Sequence, residues 1–158
     1  MKYIGVKIVD AVEMVSGDAV DIGYKVGSCG GRDAHGYEVT YEDGYKSWSP
    51  KTPFDKANRP CDAMPFGHAI EALKEGKRVC RSGWNGKNMF LFLLPASDGI
   101  PTSVIHDPAL QAVIESEVGG NTFNALGSIR MFTADKKVLT GWLASQTDML
   151  ADDWMIVE

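Results

Sequence analysis

Cysteine, histidine and long apolar runs are all scarce in this chain. Cys29, Cys61 and Cys80 are an odd number with no C-x-x-C spacing, which argues against a disulfide framework and for reduced thiols. His35, His68 and His106 are its only imidazoles, so no zinc pattern can be assembled, and neither a metal nor a cofactor is expected. No apolar run approaches the roughly 20 residues that a bilayer span requires. Residues 1–7 carry lysine where a secretory signal needs a continuous apolar stretch, so the expectation is a protein that stays in the cytosol where it is made. Positive charge is also short. A formal net charge of −5 excludes a protein that coats polymeric nucleic acid, because that requires many phosphate-facing Lys and Arg. It leaves room for one small phosphorylated ligand in a local basic pocket.

What is present describes an ordinary globular chain. With 158 residues, 44% of them apolar and 23% charged, it can bury a core without staples, as one domain or two small ones. Residues 1–60 read as a small β-rich module. Ile4, Val6 and Ile8 alternate with Tyr3, Gly5 and Lys7, the period of a half-buried strand. Ser16-Gly17-Asp18 reads as a turn and residues 20–26 as a second strand. A Gly-rich stretch, residues 27–36, lacks Walker spacing and reads as a flexible connection. Asp43-Gly44 predicts a two-residue hairpin loop that sets Tyr41 opposite Lys46 and Val39 opposite Trp48, with Trp48 in the core. Ser49-Pro50 then predicts a capped short helix with Phe54 and Ala57 facing inward.

Residues 59–63 read as a linker, and a second module spans 64–158. Phe66, Ala69, Ile70 and Leu73 form one helical face, closed by Gly76. Residues 78–84 and 88–94 read as strands around an Asn85-Gly86 turn. Met89-Phe90-Leu91-Phe92-Leu93-Leu94 is apolar on both faces, which predicts a central strand covered on both sides. Asp107-Pro108 opens a helix inside a long excursion, residues 97–127. A hairpin around Asp135-Lys136-Lys137, a short helix capped by Ser145-x-x-Asp148 and a closing strand at 154–157 complete the chain. The predicted class is α+β: a β-rich N-terminal module, then an antiparallel sheet domain with two or three short helices.

Catalytic chemistry is poorly provided for. The serines lack a G-x-S-x-G context, and no cysteine sits beside a histidine in sequence. Asp152-Asp153 are adjacent, point apart, and read as a solvated helix end. Binding chemistry is better served. Lys74, Lys77, Arg78, Arg81 and Lys87 place five of this half's eight cations within fourteen residues, beside Trp84 as a stacking surface. Without further information, an anion pocket and a solvated helix end with an incidental tryptophan explain this stretch equally well. Trp142 precedes Ser145, Gln146, Thr147 and Asp148, where a helix N-terminus offers unpaired N–H groups to an anion or ribose. The same residues would equally serve as a plain helix cap.

Longer blocks carry a resemblance. Phe66-Gly67-x-Ala69-Ile70-Glu71-Ala72-Leu73-Lys74-x-Gly76-Lys77, Gly83-Trp84-Asn85-Gly86-Lys87, Met89-Phe90-Leu91 and Trp142-Leu143-Ala144-Ser145-Gln146-Thr147-Asp148-Met149-Leu150-Ala151-x-Asp153-Trp154 resemble the phage Thoeris anti-defence family, type two. The resemblance implies a non-enzymatic sponge that holds a nucleotide immune signal. That signal would be a glycocyclic ADP-ribose made from NAD by TIR-domain proteins, or a cyclic oligonucleotide. It also implies a homo-oligomer, a dimer of dimers with pockets between protomers, working in the host cytoplasm. By motif, Trp84 and Trp142 would be aromatic walls, with Asn85, Ser145, Thr147 and Asp148 as polar contacts. Arg81, Lys87 and Gln146 join that ligand-binding set from the charge and donor arguments above. A hydrolase of cyclic nucleotides and a phage protein-interaction adaptor are the competing readings. Residues 97–127 exceed a minimal member, and residues 1–63 lie outside the resemblance, with oligomer contact or a structural appendage as their expected role.

Overall fold

The computed structural model describes residues 6–28, 31–84 and 88–157. The chain divides into two compact units, Met1–Pro60 and Cys61–Glu158. The described residues form ten strands in three antiparallel sheets with five α-helices, a mixed α+β architecture.

In the first unit, β1 (Asp10–Val15), β2 (His35–Thr40) and β3 (Lys46–Pro50) form an antiparallel sheet in that order. Of the strand expected from Ile4 to Ile8, the described residues 6–9 are irregular, and residues 1–5 lie outside the described set. Residues 20–26 are not a strand either. Helix α1 (Ser16–Asp21) begins at the expected turn, because the Gly-rich loop captures its first residues. Ser16 N donates to Ala34 O at 2.9 Å, Gly17 N to Arg32 O at 2.7 Å, and Ser16 Oγ to Gly31 O at 2.6 Å. Those partners lie at least fifteen residues away in sequence, beyond the reach of local periodicity.

The β2–β3 hairpin forms, one residue out of the expected register. Tyr41 N donates to Tyr45 O and Gly44 N to Tyr41 O, with Gly44 at φ 80°. This is a three-residue loop closed by a left-handed glycine rather than a two-residue turn. Trp48 therefore pairs with Glu38, and Val39 with Ser47. Trp48 is buried as expected, and its indole donates to Met14 O at 3.0 Å. Its ring fills the space above Gly36, where a Cβ would stand 2.5 Å from it, so only glycine fits. Pro50 ends β3 and is itself the cap of α2 (Lys51–Ala57). Phe54 packs on Tyr37 at 4.5 Å, whereas Ala57 is exposed instead of facing inward.

In the second unit, helix α3 (Phe66–Lys74) buries Ala69, Ala72 and Leu73. Gly76 at φ 79° closes it: Gly76 N donates to Leu73 O and Lys77 N to Ala72 O, the paired bonds of a Schellman end. Then follow β4 (Arg78–Arg81) and β5 (Phe90–Leu94). An arm departs as β6 (Ser97–Pro101), a single 3-10 turn (Thr102–Val104) and α4 (Pro108–Glu117), and returns as β7 (Thr122–Ala125) paired to β6. Strands β8 (Ser128–Phe132) and β9 (Val138–Leu139), helix α5 (Gln146–Met149) and strand β10 (Trp154–Val157) finish the chain.

The five-stranded sheet has the order β10-β4-β5-β8-β9. One face carries Val79, Leu91, Met131 and Trp154 into a core with Leu73 and Met64. Strand β5 is central, as expected, yet only its Leu91 is buried. Within this unit helix α3 packs on β10, β4 and β5, so Phe90 and Phe92, which alternate to the opposite face, stay half-exposed. On that face Phe90 stacks on Phe132 at 5.1 Å and the Arg78 guanidinium lies 5.1 Å from the Phe90 ring centre. Among the described residues no helix is long and apolar enough to cross a membrane.

Candidate ligand site

Two segments some sixty residues apart in sequence meet at the core-facing end of β4. The first is the exit of that strand: Arg81 is its last residue, and Ser82-Gly83 turn the chain into Trp84. The second runs from Trp142 through α5 to β10. Trp154 anchors both. It is completely buried, and its indole N–H donates to Asp148 O at 2.9 Å. Trp84 stands edge-on to it at 5.5 Å and Trp142 at 6.2 Å, while Trp84 and Trp142 are 6.3 Å apart. Phe66 closes the cluster at 5.4 Å from Trp154. Edge-to-face pairs of this kind add about 0.5–1.5 kcal/mol each beyond the area they bury. Trp84 and Trp142 are only partly buried, so each has one side in the core and part of its ring open.

The polar half of the site surrounds Arg81. Its Nε donates to Asp153 Oδ1 at 2.8 Å, and its Nη1 to Asp148 Oδ1 at 3.0 Å and Thr147 O at 3.2 Å. Asp153 Oδ2 accepts from Gly83 N at 3.0 Å and Ser82 Oγ at 3.2 Å. Asp148 completes a capping box: Ser145 Oγ accepts from Asp148 N, and Asp148 Oδ2 accepts from Ser145 N at 3.1 Å and Ser145 Oγ at 2.6 Å. Ser145 and Thr147 also share a hydroxyl contact of 2.8 Å.

The charges respond accordingly. The carboxylates of Asp153 and Asp148 raise the Arg81 pKa above its ordinary value. Asp153 is held below the usual carboxylate range, first by its bond from Arg81. For Asp148 burial is the largest influence and pushes upward. Bonds from Ser145 and Arg81, with a further one from the Trp84 side chain, together outweigh it and leave its pKa lowered. Burial, assisted by Asp153, pushes the Cys80 thiol up, which leaves it a poor nucleophile at neutral pH.

The structure thus brings together Arg81, Trp84, Trp142, Ser145, Thr147 and Asp148 from the sequence-derived set. Gln146 is exposed on the first turn of α5, and its side chain makes no hydrogen bond among the described residues. Asn85 and Lys87 lie outside the described residues. The basic cluster seen in sequence is not one patch. Strand alternation sends Arg78 and Arg81 to opposite faces of the sheet, and Lys74 pairs with Glu71 at 2.7 Å. Asp153 is the residue that sequence reasoning missed. It is half-buried beside exposed Asp152, and its partners Arg81, Ser82 and Gly83 lie 70–72 residues away. The only local hint was that adjacent aspartates point apart, so one could face inward.

In the first unit, an open cleft of about 420 Å³ lies between α1 and the Gly-rich loop. Its arginine, Arg32, is paired to Asp21 at 2.6 Å. Among the described residues no group of three or more His, Cys, Asp or Glu is placed to hold a metal.

The sheet, the tryptophan cluster and the capped turn lie in the part of the chain that aligns with known proteins. A family model for the Thoeris anti-defense 2-like domain matches residues 64–157, more than half of the chain, and the chain belongs to that family, a class defined by a phage anti-defence role. It is also similar to Thoeris anti-defense 2 of Bacillus phage SP01, with 47% identity over 94 residues, covering 60% of this chain and 94% of that protein.

Proposed function

We propose that the second unit binds and sequesters a nucleotide immune signal, a glycocyclic ADP-ribose or a cyclic oligonucleotide, without transforming it. The observation that carries this reading is the meeting of Trp84 and Trp142 with the Ser145–Asp148 turn. Partly open aromatic rings suit a purine, and hydroxyl and carboxylate groups a few ångströms away suit ribose hydroxyls. Sequestration requires slow release and no chemistry. A protonated Cys80 and carboxylates engaged by Arg81 supply neither a nucleophile nor a free general base. The work would be done in the host cytoplasm. Leu143 and Leu150, which flank the turn, are 87% and 81% exposed. Apolar side chains in that position support a homo-oligomer, a dimer of dimers, whose subunit contacts border the pocket. The role of the first unit in that assembly would be oligomer contact or a structural appendage.

The test is native mass spectrometry with glycocyclic ADP-ribose and with a panel of cyclic oligonucleotides. Denaturation and recovery of the ligand follow. The expected result is a ligand-bearing oligomer that returns the signal intact. Cleaved ligand would make the protein a hydrolase, and no bound ligand across the panel would favour a protein-interaction adaptor.

A further inference from the structure

We propose that Asp153 is the positioning residue of this site, and that it presents the free edge of Arg81 to a neutral acceptor on the ligand rather than to a phosphate. The inference rests on the binding function proposed above and names the ligand atom class one part of the site would take.

A guanidinium carries five N–H donors in a rigid plane. Arg81 engages three of them within the protein: Nε–H with Asp153, and both Nη1 hydrogens with Asp148 and the Thr147 carbonyl. Its Nη2 has no hydrogen-bond partner among the described residues. Nη2 lies beside Gly83, whose missing Cβ would stand 3.9 Å from it and 3.0 Å from Asp153 Oδ2. A side chain at position 83 would crowd the carboxylate and stand in contact with the free nitrogen. The Asp153 carboxylate also fixes Gly83 itself, through the backbone N–H at 3.0 Å, and Ser82 through its hydroxyl at 3.2 Å; the Ser82 N–H donates instead to the Asp153 main-chain carbonyl. One carboxylate thereby sets the plane of the guanidinium and the path of the chain into Trp84.

Charge selects what the free edge takes. One guanidinium faces two carboxylates, so this cluster is net negative and repels a dianion approaching it. A ligand phosphate gains little here, whereas a base carbonyl, ring nitrogen or ribose oxygen accepts an N–H bond from Nη2 without that repulsion.

The experiment compares wild type with Asp153→Asn and Arg81→Lys, using glycocyclic ADP-ribose in calorimetry and amide hydrogen exchange on the unliganded protein. Asp153→Asn is expected to weaken binding at least tenfold and to speed exchange at Gly83 at least tenfold, while the core amides of Val79 and Leu91 keep their protection. Arg81→Lys keeps the charge and loses the fork, and is expected to lose affinity by the same order. Its loss should be equal at low and high salt. Unchanged affinity in Asp153→Asn overturns the proposal, as does loss of protection in the core. A loss well below tenfold in Arg81→Lys, the retained charge sufficing, returns the contact to a phosphate. If wild type binds neither this probe nor any cyclic oligonucleotide of the panel, the proposed function falls, and Gly83 exchange in Asp153→Asn alone decides whether Asp153 positions the turn.

Discussion

The body of the second unit and the arm that leaves it contain the same kinds of element but are held by different forces. In the body, α3 and four strands close over side chains such as Leu73, Val79, Leu91 and Trp154, each 2% exposed or less. In the arm, β6, α4 and β7 bury no residue at all. Leu110 and Val113 hold helical spacing on α4 yet are 44% and 55% exposed. The arm takes its shape from local devices: Asp107 accepts from Leu110 N at 2.8 Å to cap α4, and left-handed Gly119 follows the helix. Stability of this unit therefore resides in the body, and the arm is carried by it.

The largest effect should come from the centre of the body. Trp154→Ala removes a fully buried indole, its bond to Asp148 O, its edge contacts with Trp84 and Trp142 and its tilted contact with Phe66. Truncations of this type cost about 3–5 kcal/mol, a large share of the stability of a small domain. Urea unfolding followed by near-ultraviolet circular dichroism should show the midpoint collapse. A loss below about 1 kcal/mol would mean that the tryptophan cluster does not anchor the fold as its burial implies.

The same division explains what could be read in advance. Helix α3 was legible because its apolar period and Gly76 stop are local, and the Ser145–Asp148 capping box because it spans four residues. Trp84 and Trp142 were joined only through the family resemblance, since their meeting depends on Trp154 and on strand pairing rather than on local pattern. Asp153 and Arg81 form an ion pair across 72 positions, and nothing in the neighbourhood of either residue announces the other. Strands β6 and β7 were missed for the opposite reason. Neither has a buried residue, β6 does not alternate and β7 alternates over only four residues, so their mutual hydrogen bonds define them.

A second contrast lies in acid. The folded state holds Asp148 and Asp153 below the ordinary carboxylate range. Such groups bind fewer protons folded than unfolded. Their contribution is complete above the unfolded carboxylate pKa, near 4, and declines as pH falls toward the lower folded values. Thermal denaturation of the body should therefore move to lower temperature as pH drops from about 5 to 3, and Asp153→Asn should flatten that slope. An unchanged slope in the variant would place the acid sensitivity elsewhere.

The smallest effect is expected in the arm. Val113→Ser exchanges an apolar side chain for a polar one at a position more than half open to solvent. Exposed substitutions away from caps and networks usually fall within about 0.5 kcal/mol, and serine costs a helix interior only a few tenths of that unit. In a monomeric sample the unfolding midpoint should barely move. If the protein assembles through this face, as its run of exposed apolar side chains would allow, the same substitution changes the concentration dependence of the midpoint instead. Measuring that midpoint across a hundredfold range of protein concentration separates an arm that is merely carried from one that joins copies of the chain.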